Sequence, residues 1–508
     1  MDILEVSGTS DPGSIPGGGV NFTTKNVIMR LHKQLIMDIE EYVFEEVVVK
    51  ESSSPVFTLN GEEIDFWGEY RKFWEKSLTD YVRERILEYD LKGEDPFYEI
   101  VGKEKEKEMV KNALLSGSSI LFIGKKGYGK TTFSKSIAKL LPEKQLAIKG
   151  CKIHDNPVRP SCFACKKKIL ENDRVELTWI GRKWIRIAGD PMMTTRQLIG
   201  GISIQKIREG FDLDHPEVFT PGKVLKANRG IAYFDELGAI PSALQTLLHE
   251  LIEEKQITTP EGEIIPLKLD MLVIASTNPA NYRGTSEIKE PLLDRMEEIP
   301  IGPPESLQEE IEIGLRNMAL KNGVSIPEFH LKILARTVRY ARNKKCRHAT
   351  RIESEPSCRA TIKLFDHVKA SAIRNRRKAV MLSDYGSNYE VIKLALRSRM
   401  EVDFDADKDE IIEKLVEEAI NRTCGEIYSL IDRDDFKNIF EEIKSAKKIR
   451  LSEDVLDKLP SLQKYVKMIA KPGEEVSALE ILLESVRRCT GMLERVGDVY
   501  KARVQDLL

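Results

Sequence analysis

The sequence predicts an α/β protein built on a parallel sheet, with additional helical regions before and after it. Three observations predict this fold. Short apolar stretches alternate with helix-patterned stretches from residue 96 to Pro303, which is typical of βαβ units. A glycine-rich turn joins one of these predicted strands to a helix. A pair of carboxylates directly follows another predicted strand.

Composition excludes several classes of protein. The chain has 508 residues, of which 41% are hydrophobic and 32% charged, with a formal net charge of −3 at pH 7. This balance provides no overall basic excess for binding nucleic acid. No apolar run approaches the roughly 20 residues of a membrane helix, and the first residues lack the pattern of a signal peptide. We therefore expect a cytoplasmic protein with reduced cysteines and no membrane partner.

Changes of pattern divide the chain into five regions. They are a disordered leader over 1–25, a helical region over 26–95, an α/β core over 96–303, a helical lid over 304–400 and a helical C-terminal region over 401–508. The segment "ESSSPVFTLNGEE" interrupts the first helical region and predicts a loop or a short hairpin. The core contains a cysteine-bearing insertion at about 151–187, in which "VELTWIGRKWIRIAG" predicts a hairpin that turns at Gly181.

The glycine-rich turn has the spacing of a phosphate-binding loop. In "SILFIGKKGYGKTTFSKSIAKLL" the pattern G-x-x-x-x-G-K-T places Gly124, Gly129, Lys130 and Thr131 between a strand and a helix. Glycines allow backbone N–H groups to surround phosphate oxygens, and the start of the helix adds its positive dipole. Lys130 is expected to reach the β- and γ-phosphates, and the Thr131 hydroxyl to bind Mg²⁺. The sequence therefore predicts a nucleotide site.

The carboxylate pair follows the apolar strand in "GIAYFDELGAIPSALQ". Ligands of parallel sheets bind at the C-terminal ends of the strands, which is where Asp235 and Glu236 are placed. Asp235 is predicted to hold Mg²⁺, and Glu236 to act as the general base that activates a water molecule. No separate acceptor site for a kinase is evident, so hydrolysis is favoured.

Three further polar residues follow in a fixed order. Asn278 ends the apolar strand in "KLDMLVIASTNPANY", where its amide could hold the attacking water. Arg295 precedes a further short strand in "EPLLDRMEEIPI", and Arg359 opens a long helix. Taken alone, each would be an ordinary turn residue or a solvated surface charge.

The order of these motifs resembles the AAA+ ATPases. The segments "TTRQLIG" and "TPGKVLKANRGIAYFDE" are similar to the stretch of magnesium chelatase ATPase subunits that carries an extra helix insertion. The segment "ITTPEGEIIPLKLDMLVIASTNP" resembles the hairpin that this group inserts before its sensor strand. The resemblance covers about Phe97 to Met400 and extends to MoxR-type ATPases of the same clade. It implies an AAA+ core with inserted hairpins and a helical lid.

The resemblance also implies a mechanism and a site. ATP with Mg²⁺ would bind between adjacent subunits of a ring, usually a hexamer. The implied nucleotide-binding residues are Ile100, Val101, Gly124, Gly127, Tyr128, Gly129, Lys130, Thr131, Thr132 and Asp235. The implied catalytic residues are Glu236, Asn278, Arg295 as an arginine finger acting on a neighbour's nucleotide, and Arg359 as a second sensor that could also reach a neighbour.

The cysteine-bearing insertion has the spacing of a metal site. Cys151, His154, Cys162 and Cys165 follow the pattern C-x2-H-x7-C-x2-C, and three cysteines with one histidine are an accepted structural zinc set. The alternative is a set of reduced thiols in an exposed loop with a solvated histidine. The sequence predicts zinc at this set, with a structural role.

Three functions remain open from the sequence. The first is a motor that remodels a protein partner, typically one with a von Willebrand factor A domain in systems that the chain resembles. The second is a nucleic-acid motor like the MCM helicases, which the basic segment "RYARNKKCRHATR" favours. The third is an AAA+ domain of a PrkA-type kinase or regulator.

Overall fold

The structure is a computed structural model of the chain. It describes residues 49–70, 76–210, 219–254, 256–258, 264–266, 268–279, 288–343, 346–446 and 448–503. The predicted leader over 1–25 and the start of the predicted helical region lie outside the described residues. Among the helices it does describe, none is both long and apolar enough to cross a bilayer.

Strands and helices alternate over the first part of the described chain, and helices dominate the second. The described strands are β1 (Val56–Leu59), β2 (Glu62–Glu63), β3 (Ser119–Ile123), β4 (Lys144–Ile148), β5 (Arg174–Gly181), β6 (Trp184–Ala188), β7 (Gly200–Ile202), β8 (Phe219–Pro221), β9 (Ile231–Asp235), β10 (Gln256–Thr258), β11 (Ile264–Pro266), β12 (Leu272–Thr277), β13 (Met296–Pro300), β14 (Ile352–Ser354), β15 (Glu401–Val402), β16 (Ile449–Arg450), β17 (Leu493–Val496) and β18 (Val499–Ala502).

The helices connect and cover these strands. The described α-helices are α1 (Leu78–Lys92), α2 (Glu104–Ser116), α3 (Lys130–Ala138), α4 (Phe163–Glu171), α5 (Thr195–Leu198), α6 (Ile204–Arg208), α7 (Lys223–Lys226), α8 (Ser242–His249), α9 (Glu290–Leu293), α10 (Leu307–Asn317), α11 (Glu328–Arg342), α12 (Cys358–Arg374), α13 (Glu390–Leu396), α14 (Lys408–Tyr428), α15 (Arg433–Ala446), α16 (Pro460–Ile469) and α17 (Glu475–Thr490).

A five-stranded parallel sheet forms the centre of the molecule and confirms the predicted fold class. Its strand order is β13-β3-β12-β9-β6. The middle strands β3, β9 and β12 are almost wholly buried, as expected where helices cover both faces of a parallel sheet. Helices α1, α2 and α3 pack on one face, and α7, α8 and α9 on the other. The C-terminal ends of all five strands therefore share one edge.

A second, mixed sheet includes one strand of the insertion and corrects one prediction. Its order is β2-β1-β5-β4, with β1 parallel to β5 and antiparallel to β2. Strands β1 and β2 form a short hairpin within 51–63, where the sequence predicts a loop or a short hairpin. The predicted hairpin turning at Gly181 is wrong. Strand β5 ends at Gly181, and β6 pairs instead with β9 of the central sheet, where Ile187 is buried.

This correction has a physical reason. Alternating apolar residues indicate a strand with one buried face, but they do not specify which sheet buries that face. Only Arg182 and Lys183 separate β5 from β6, so the chain passes from one sheet to the other within two residues. The inserted segment therefore ends before β6, not at residue 187.

Two antiparallel strand pairs interrupt the central βα units. Strands β7 and β8 pair across the segment that contains α6, and β10 pairs with β11 just before β12. The second pair matches the hairpin that the sequence predicts before the strand ending in Asn278.

The lid and the C-terminal region share one hydrophobic core, which differs from the predicted division at residue 400. Residues from Ile311 in α10 to Tyr500 in β18 belong to a single buried cluster. Helix α14 contributes Leu415 and Val416, and α17 contributes Leu482. The C-terminal region is not wholly helical, since β16, β18 and β17 form a small sheet. A composition change at residue 400 therefore does not mark a boundary between cores.

Candidate nucleotide site and cysteine cluster

The glycine-rich turn lies between β3 and α3, as the sequence predicts. Gly127 and Gly129 have φ angles of 83° and 98°, which favour glycine. A Cβ atom on Gly127 would also lie 2.3 Å from the Ser357 hydroxyl oxygen. Gly129 is the N-cap of α3, so the first backbone N–H groups of this helix point into the turn. The turn is shaped to hold an anion.

Lys130 connects this turn to the neighbouring strand. Its Nζ donates to the carbonyl oxygens of Gly124 and of Lys125, the latter at 3.2 Å. The same Nζ lies 3.4 Å from Oδ1 of Asn278 at the end of β12. Burial lowers the pKa of Lys130 to about 8, against the opposing attraction of Asp235 and Glu236. The predicted lysine, amide and carboxylates therefore share one site.

Asp235 lies at the end of β9 within a network of hydroxyl groups. Its Oδ1 accepts hydrogen bonds from Ser276 Oγ at 3.0 Å and from Tyr233 Oη at 3.3 Å. Tyr233 Oη also lies 3.1 Å from Thr131 Oγ1. The two predicted Mg²⁺ ligands therefore meet at one tyrosine hydroxyl. An aspartate and a threonine oxygen at the phosphate loop are hard oxygen donors, which fit Mg²⁺.

Asp235 is also paired with a cation. Arg186 on β6 donates from Nε to Asp235 Oδ2 at 2.9 Å, and its guanidinium is half-exposed. Strands β6 and β9 are neighbours in register, with Ala188 opposite Asp235, which brings Arg186 to this edge. A cation beside Asp235 opposes the approach of a second cation, so Mg²⁺ at this carboxylate would compete electrostatically with Arg186.

Glu236 adopts a left-handed backbone conformation with φ of 64°. A non-glycine residue in this region carries strain, which is common at functional sites. Its carboxylate forms an ion pair with Lys126 of the phosphate loop at 3.0 Å, and its backbone N–H lies 3.4 Å from Ser276 Oγ. Glu236 is therefore held beside the loop, where a water molecule could approach a bound phosphate.

The two predicted arginines lie in different surroundings. Arg295 is partly exposed and pairs through Nε with Glu253 at 3.1 Å, and with Asp294. It precedes β13, whose five residues span about 16 Å, so it lies at the sheet edge away from its own phosphate loop. Arg359 lies against its own loop instead, with Cδ 3.7 Å from the position of a Cβ atom on Gly127. The structure thus places Arg359 near the nucleotide site of its own chain.

The predicted adenine-side residues lie under the lid. Ile100 belongs to a buried cluster with Tyr128 and Cys358, and the next residue, Val101, is partly exposed. Tyr128 donates to Glu355 Oε1 at 2.8 Å, and burial raises the pKa of this tyrosine. Thr132 is exposed on the first turn of α3. The lid therefore contacts the phosphate loop through Tyr128.

The cysteine segment forms a cluster, but His154 is not part of it. Ligand atoms of Cys151, Asp155, Cys162 and Cys165 all lie within 4.8 Å of one another. His154 has a positive φ of 57°, and its Nδ1 lies 3.3 Å from Lys183 Nζ. The structure therefore brings together three of the four predicted ligands, with Asp155 beside them and His154 outside the cluster. The left-handed turn at His154 directs the next residue, Asp155, toward the thiols.

Sequence reasoning missed several residues of the nucleotide site. Tyr233 and Asp235 are two positions apart on one strand and therefore share a face, which could have identified the tyrosine. Burial raises the pKa of Tyr233 to about 12, so its hydroxyl remains a donor at neutral pH. Strand register and loop geometry also bring three further residues to the site, namely Lys126, Arg186 and Ser276. The spacing of motifs in the sequence does not specify either of these.

Residues 171–296 match the profile of the AAA domain, dynein-related subfamily. The matched stretch contains Asp235, Glu236, Asn278 and Arg295, and it begins after the phosphate loop, β4 and the cysteine segment. This part of the chain is therefore similar to an AAA domain.

The chain is also similar to magnesium-chelatase subunits. The subunit ChlI homolog of Methanocaldococcus jannaschii is 30% identical over 205 residues, which cover 39% of this chain and 52% of the relative. The 38 kDa subunit of Acidiphilium rubrum is 26% identical over 241 residues, covering 45% of this chain and 64% of the relative. The chain thus spans only half to two thirds of the length of these curated relatives.

A solved structure of the complex between magnesium chelatase subunits BchI and BchD also matches. It is 19% identical, covers 63% of this chain and 98% of that chain, and has a TM-score of 0.32.

Proposed function

We propose that this protein is an ATPase that assembles into a ring and couples ATP hydrolysis to the remodelling of a protein partner. The observation that carries the catalytic part is the convergence of Lys130, Asp235, Glu236 and Asn278 at one edge of the sheet. These residues come from three separate segments, and together they provide the groups that phosphoryl transfer to water needs.

Each group has a distinct role in this proposal. Lys130 leaves the loop carbonyls and contacts the β- and γ-phosphates of ATP. Thr131 and Asp235 hold Mg²⁺, which neutralises phosphate charge when bound. Asn278 orients a water molecule, and Glu236 accepts its proton as the water oxygen bonds to the γ-phosphorus. The bond to the β–γ bridging oxygen breaks, and ADP and phosphate leave.

Assembly into a ring would place Arg295 near the nucleotide of a neighbouring subunit. The position of Arg295 at the far edge of the sheet prevents it from stabilising the phosphates of its own chain, whereas a neighbouring subunit's nucleotide could be within reach. We extend the proposal to a hexamer and to a partner with a von Willebrand factor A domain, on the resemblance to chelatase ATPase subunits. One structural zinc ion in the cysteine segment and a reducing, cytoplasmic compartment complete the proposal.

The nucleic-acid alternative loses its main support. Three arginines of the basic segment contact groups within the chain. Arg342 pairs with buried Glu310, Arg351 pairs with Asp403, and Arg339 donates to the carbonyl of Pro304 at 3.1 Å. The two arginines that pair with carboxylates are neutralised within the chain and would contribute little to phosphate binding. The protein-remodelling function is therefore favoured.

Steady-state hydrolysis of Mg–ATP tests the proposal. The wild-type protein should release phosphate, and Lys130→Ala should weaken ATP binding by roughly 10- to 100-fold, because a buried charge on the phosphates is lost. Lys105→Ala, which removes an exposed lysine of α2, is the control and should bind normally. An equal affinity in both variants would contradict the assignment. Transfer of the γ-phosphate to protein rather than water would favour the kinase-type alternative.

A further inference from the structure

We infer that the metal centre of the inserted segment is built from Cys151, Asp155, Cys162 and Cys165, and that it clamps the second sheet to the N-terminal edge of the central sheet. This inference rests on the proposed zinc ion but not on ATP hydrolysis. It assigns Asp155 in place of the histidine that the spacing favours, and it gives the centre a mechanical task.

The spacing of the sulfur atoms fits a tetrahedral zinc ion. Cys151 Sγ and Cys162 Sγ are 3.9 Å apart. A Zn–S bond of about 2.3 Å with tetrahedral angles gives sulfur atoms roughly 3.8 Å apart. A disulfide would bring them to about 2.05 Å. The thiols are therefore spaced for a shared metal ion and not for a covalent bond.

Local structure directs the four ligands toward one point. Cys162 is the N-cap of α4 and Cys165 lies in its first turn, so the C-x2-C pair projects from one helix end. The backbone N–H of Asp155 donates to Cys151 Sγ at 3.3 Å, which stabilises a thiolate and closes a tight loop. The left-handed conformation of His154 produces this loop. Three thiolates with one carboxylate favour zinc over Mg²⁺ or Ca²⁺, which prefer all-oxygen sites.

Charge supports the presence of a cation. Asp155 and Cys165 are buried, and Cys151 and Cys162 are only partly exposed. Four anionic ligands in this environment are costly unless cations compensate for them. Lys183 and Arg229 both interact with Cys151 and Asp155. A divalent ion would add to these two cations in offsetting the negative charge of the ligands.

Asp155 links the centre to the central sheet. Its Oδ2 accepts from the backbone N–H of Cys162 at 2.8 Å, and its Oδ1 accepts from Asn228 Nδ2 at 3.2 Å. A carboxylate has further lone pairs available for a metal ion. Asn228 lies just before β9, and its Oδ1 accepts from the backbone N–H of Asp270, just before β12, at 3.0 Å. The hydrogen bonds thus connect the cysteine loop to the starts of two core strands.

The same contacts reach both the second sheet and α1. Gln145 on β4 donates to the backbone carbonyl of Arg229 at 3.1 Å. The Asp270 carboxylate accepts from the backbone N–H of Leu78 at 2.9 Å, at the start of α1. The metal centre therefore lies where the second sheet, the central sheet and α1 meet. Losing the ion would release Asp155 and weaken this junction.

Metal analysis of the purified full-length protein tests the ligand set. Wild-type protein and His154→Ala should each hold about one zinc ion per chain, and Cys162→Ser should hold none. Asp155→Ala should weaken zinc binding by more than the roughly 10- to 100-fold that is typical when a residue that only contacts a ligand, and not the metal, is replaced. Cobalt substitution should show the thiolate charge-transfer bands of a tetrahedral site in wild-type protein and in His154→Ala. Zinc lost from His154→Ala but retained by Asp155→Ala would overturn the ligand assignment and leave the zinc proposal standing.

Hydrogen exchange of wild-type protein, with and without zinc, tests the clamp. Removal of zinc should speed exchange at the backbone amides of β4 and β5, and added zinc should restore their protection. Unchanged exchange would overturn the clamp. Wild-type protein without zinc, or with a Cys151–Cys162 disulfide, would overturn the metal centre altogether. None of these readouts uses nucleotide, so a failed ATPase proposal would be recognised separately.

Discussion

The C-terminal edge of the central sheet carries a site made of short motifs that each follow one strand, whereas the centre at the N-terminal edge joins segments far apart in sequence. Gly124 to Thr131 form one turn, and Asp235 and Glu236 are adjacent. At the other edge, Asp155, Asn228, Asp270 and Leu78 come from four elements. Functional residues that lie in one turn can therefore be predicted from their spacing in the sequence. Residues that meet at a junction between segments cannot, because their contacts depend on tertiary packing. This difference also predicts that the two sites work independently.

A large effect is expected from Arg295, which lies at the N-terminal edge of the central sheet, away from its own chain's phosphate loop. Arg295→Ala should slow ATP hydrolysis on the order of 10³-fold, because loss of an arginine finger has this effect in related phosphoryl transfer. Mixing Arg295→Ala with Lys130→Ala subunits should restore part of the rate, since a mixed interface can combine an intact loop with an intact arginine.

Arg422→Ala removes an exposed arginine of α14 and serves as the control for Arg295. It should hydrolyse ATP at the wild-type rate, alone and in mixtures. Mixtures in which Arg295→Ala and Lys130→Ala subunits demonstrably assemble together but show no activity would contradict a role across the subunit boundary. Arg295 would then act on the nucleotide of its own chain or only stabilise the fold.

A smaller effect is expected from the tyrosine that joins the two Mg²⁺ ligands. Tyr233→Phe removes the hydroxyl that contacts Thr131 and Asp235. The Mg²⁺ concentration needed for half-maximal hydrolysis should rise roughly 2- to 10-fold, the value of one lost hydrogen bond, while kcat at saturating Mg²⁺ changes less. Tyr98→Phe alters an exposed tyrosine and is the control. An unchanged Mg²⁺ requirement would show that Tyr233 only fills space.

The smallest effect is expected on ATP binding when zinc is removed, and it tests whether the two edges of the central sheet act independently. Protein from which zinc has been removed, with Mg²⁺ restored, should bind ATP with wild-type affinity, because the phosphate loop rests on β3 and α3 and not on the second sheet. Calorimetric titration with a slowly hydrolysed ATP analogue measures this. A large loss of affinity without zinc would mean that the two edges are coupled.

Much of the nucleotide site could be predicted because its residues lie at fixed offsets from strand ends. Lys130, Asp235 and Asn278 needed only the rule that parallel strands present their C-terminal ends together. This rule could not identify residues that reach the site through the pairing of strands. Arg186 is an example, because it lies on β6 and reaches the site through the register of β6 against β9. The pairing of β6 with β9 could not be predicted either, since an alternating pattern indicates a strand but not the sheet to which it belongs.

The cysteine cluster, as the proposed metal site, shows a second limit of prediction from sequence. His154 and Asp155 are neighbours, and both are metal-binding residue types, so spacing alone favoured the histidine. A single left-handed residue decides between them, because it turns one side chain toward Lys183 and the next toward the thiols. Backbone conformation at one position is not encoded in a pattern of ligand types.

In the proposed mechanism, Glu236 activates water for ATP hydrolysis at the C-terminal edge of the sheet. The most direct test measures ATP binding and phosphate release for Glu236→Gln beside Glu298→Gln, which alters an exposed glutamate on β13. Glu236→Gln should bind ATP as the wild-type protein does and hydrolyse it on the order of 10²- to 10⁴-fold more slowly, since the amide cannot accept the proton. Glu298→Gln should match the wild-type protein in both. Hydrolysis by Glu236→Gln at the wild-type rate would contradict the account.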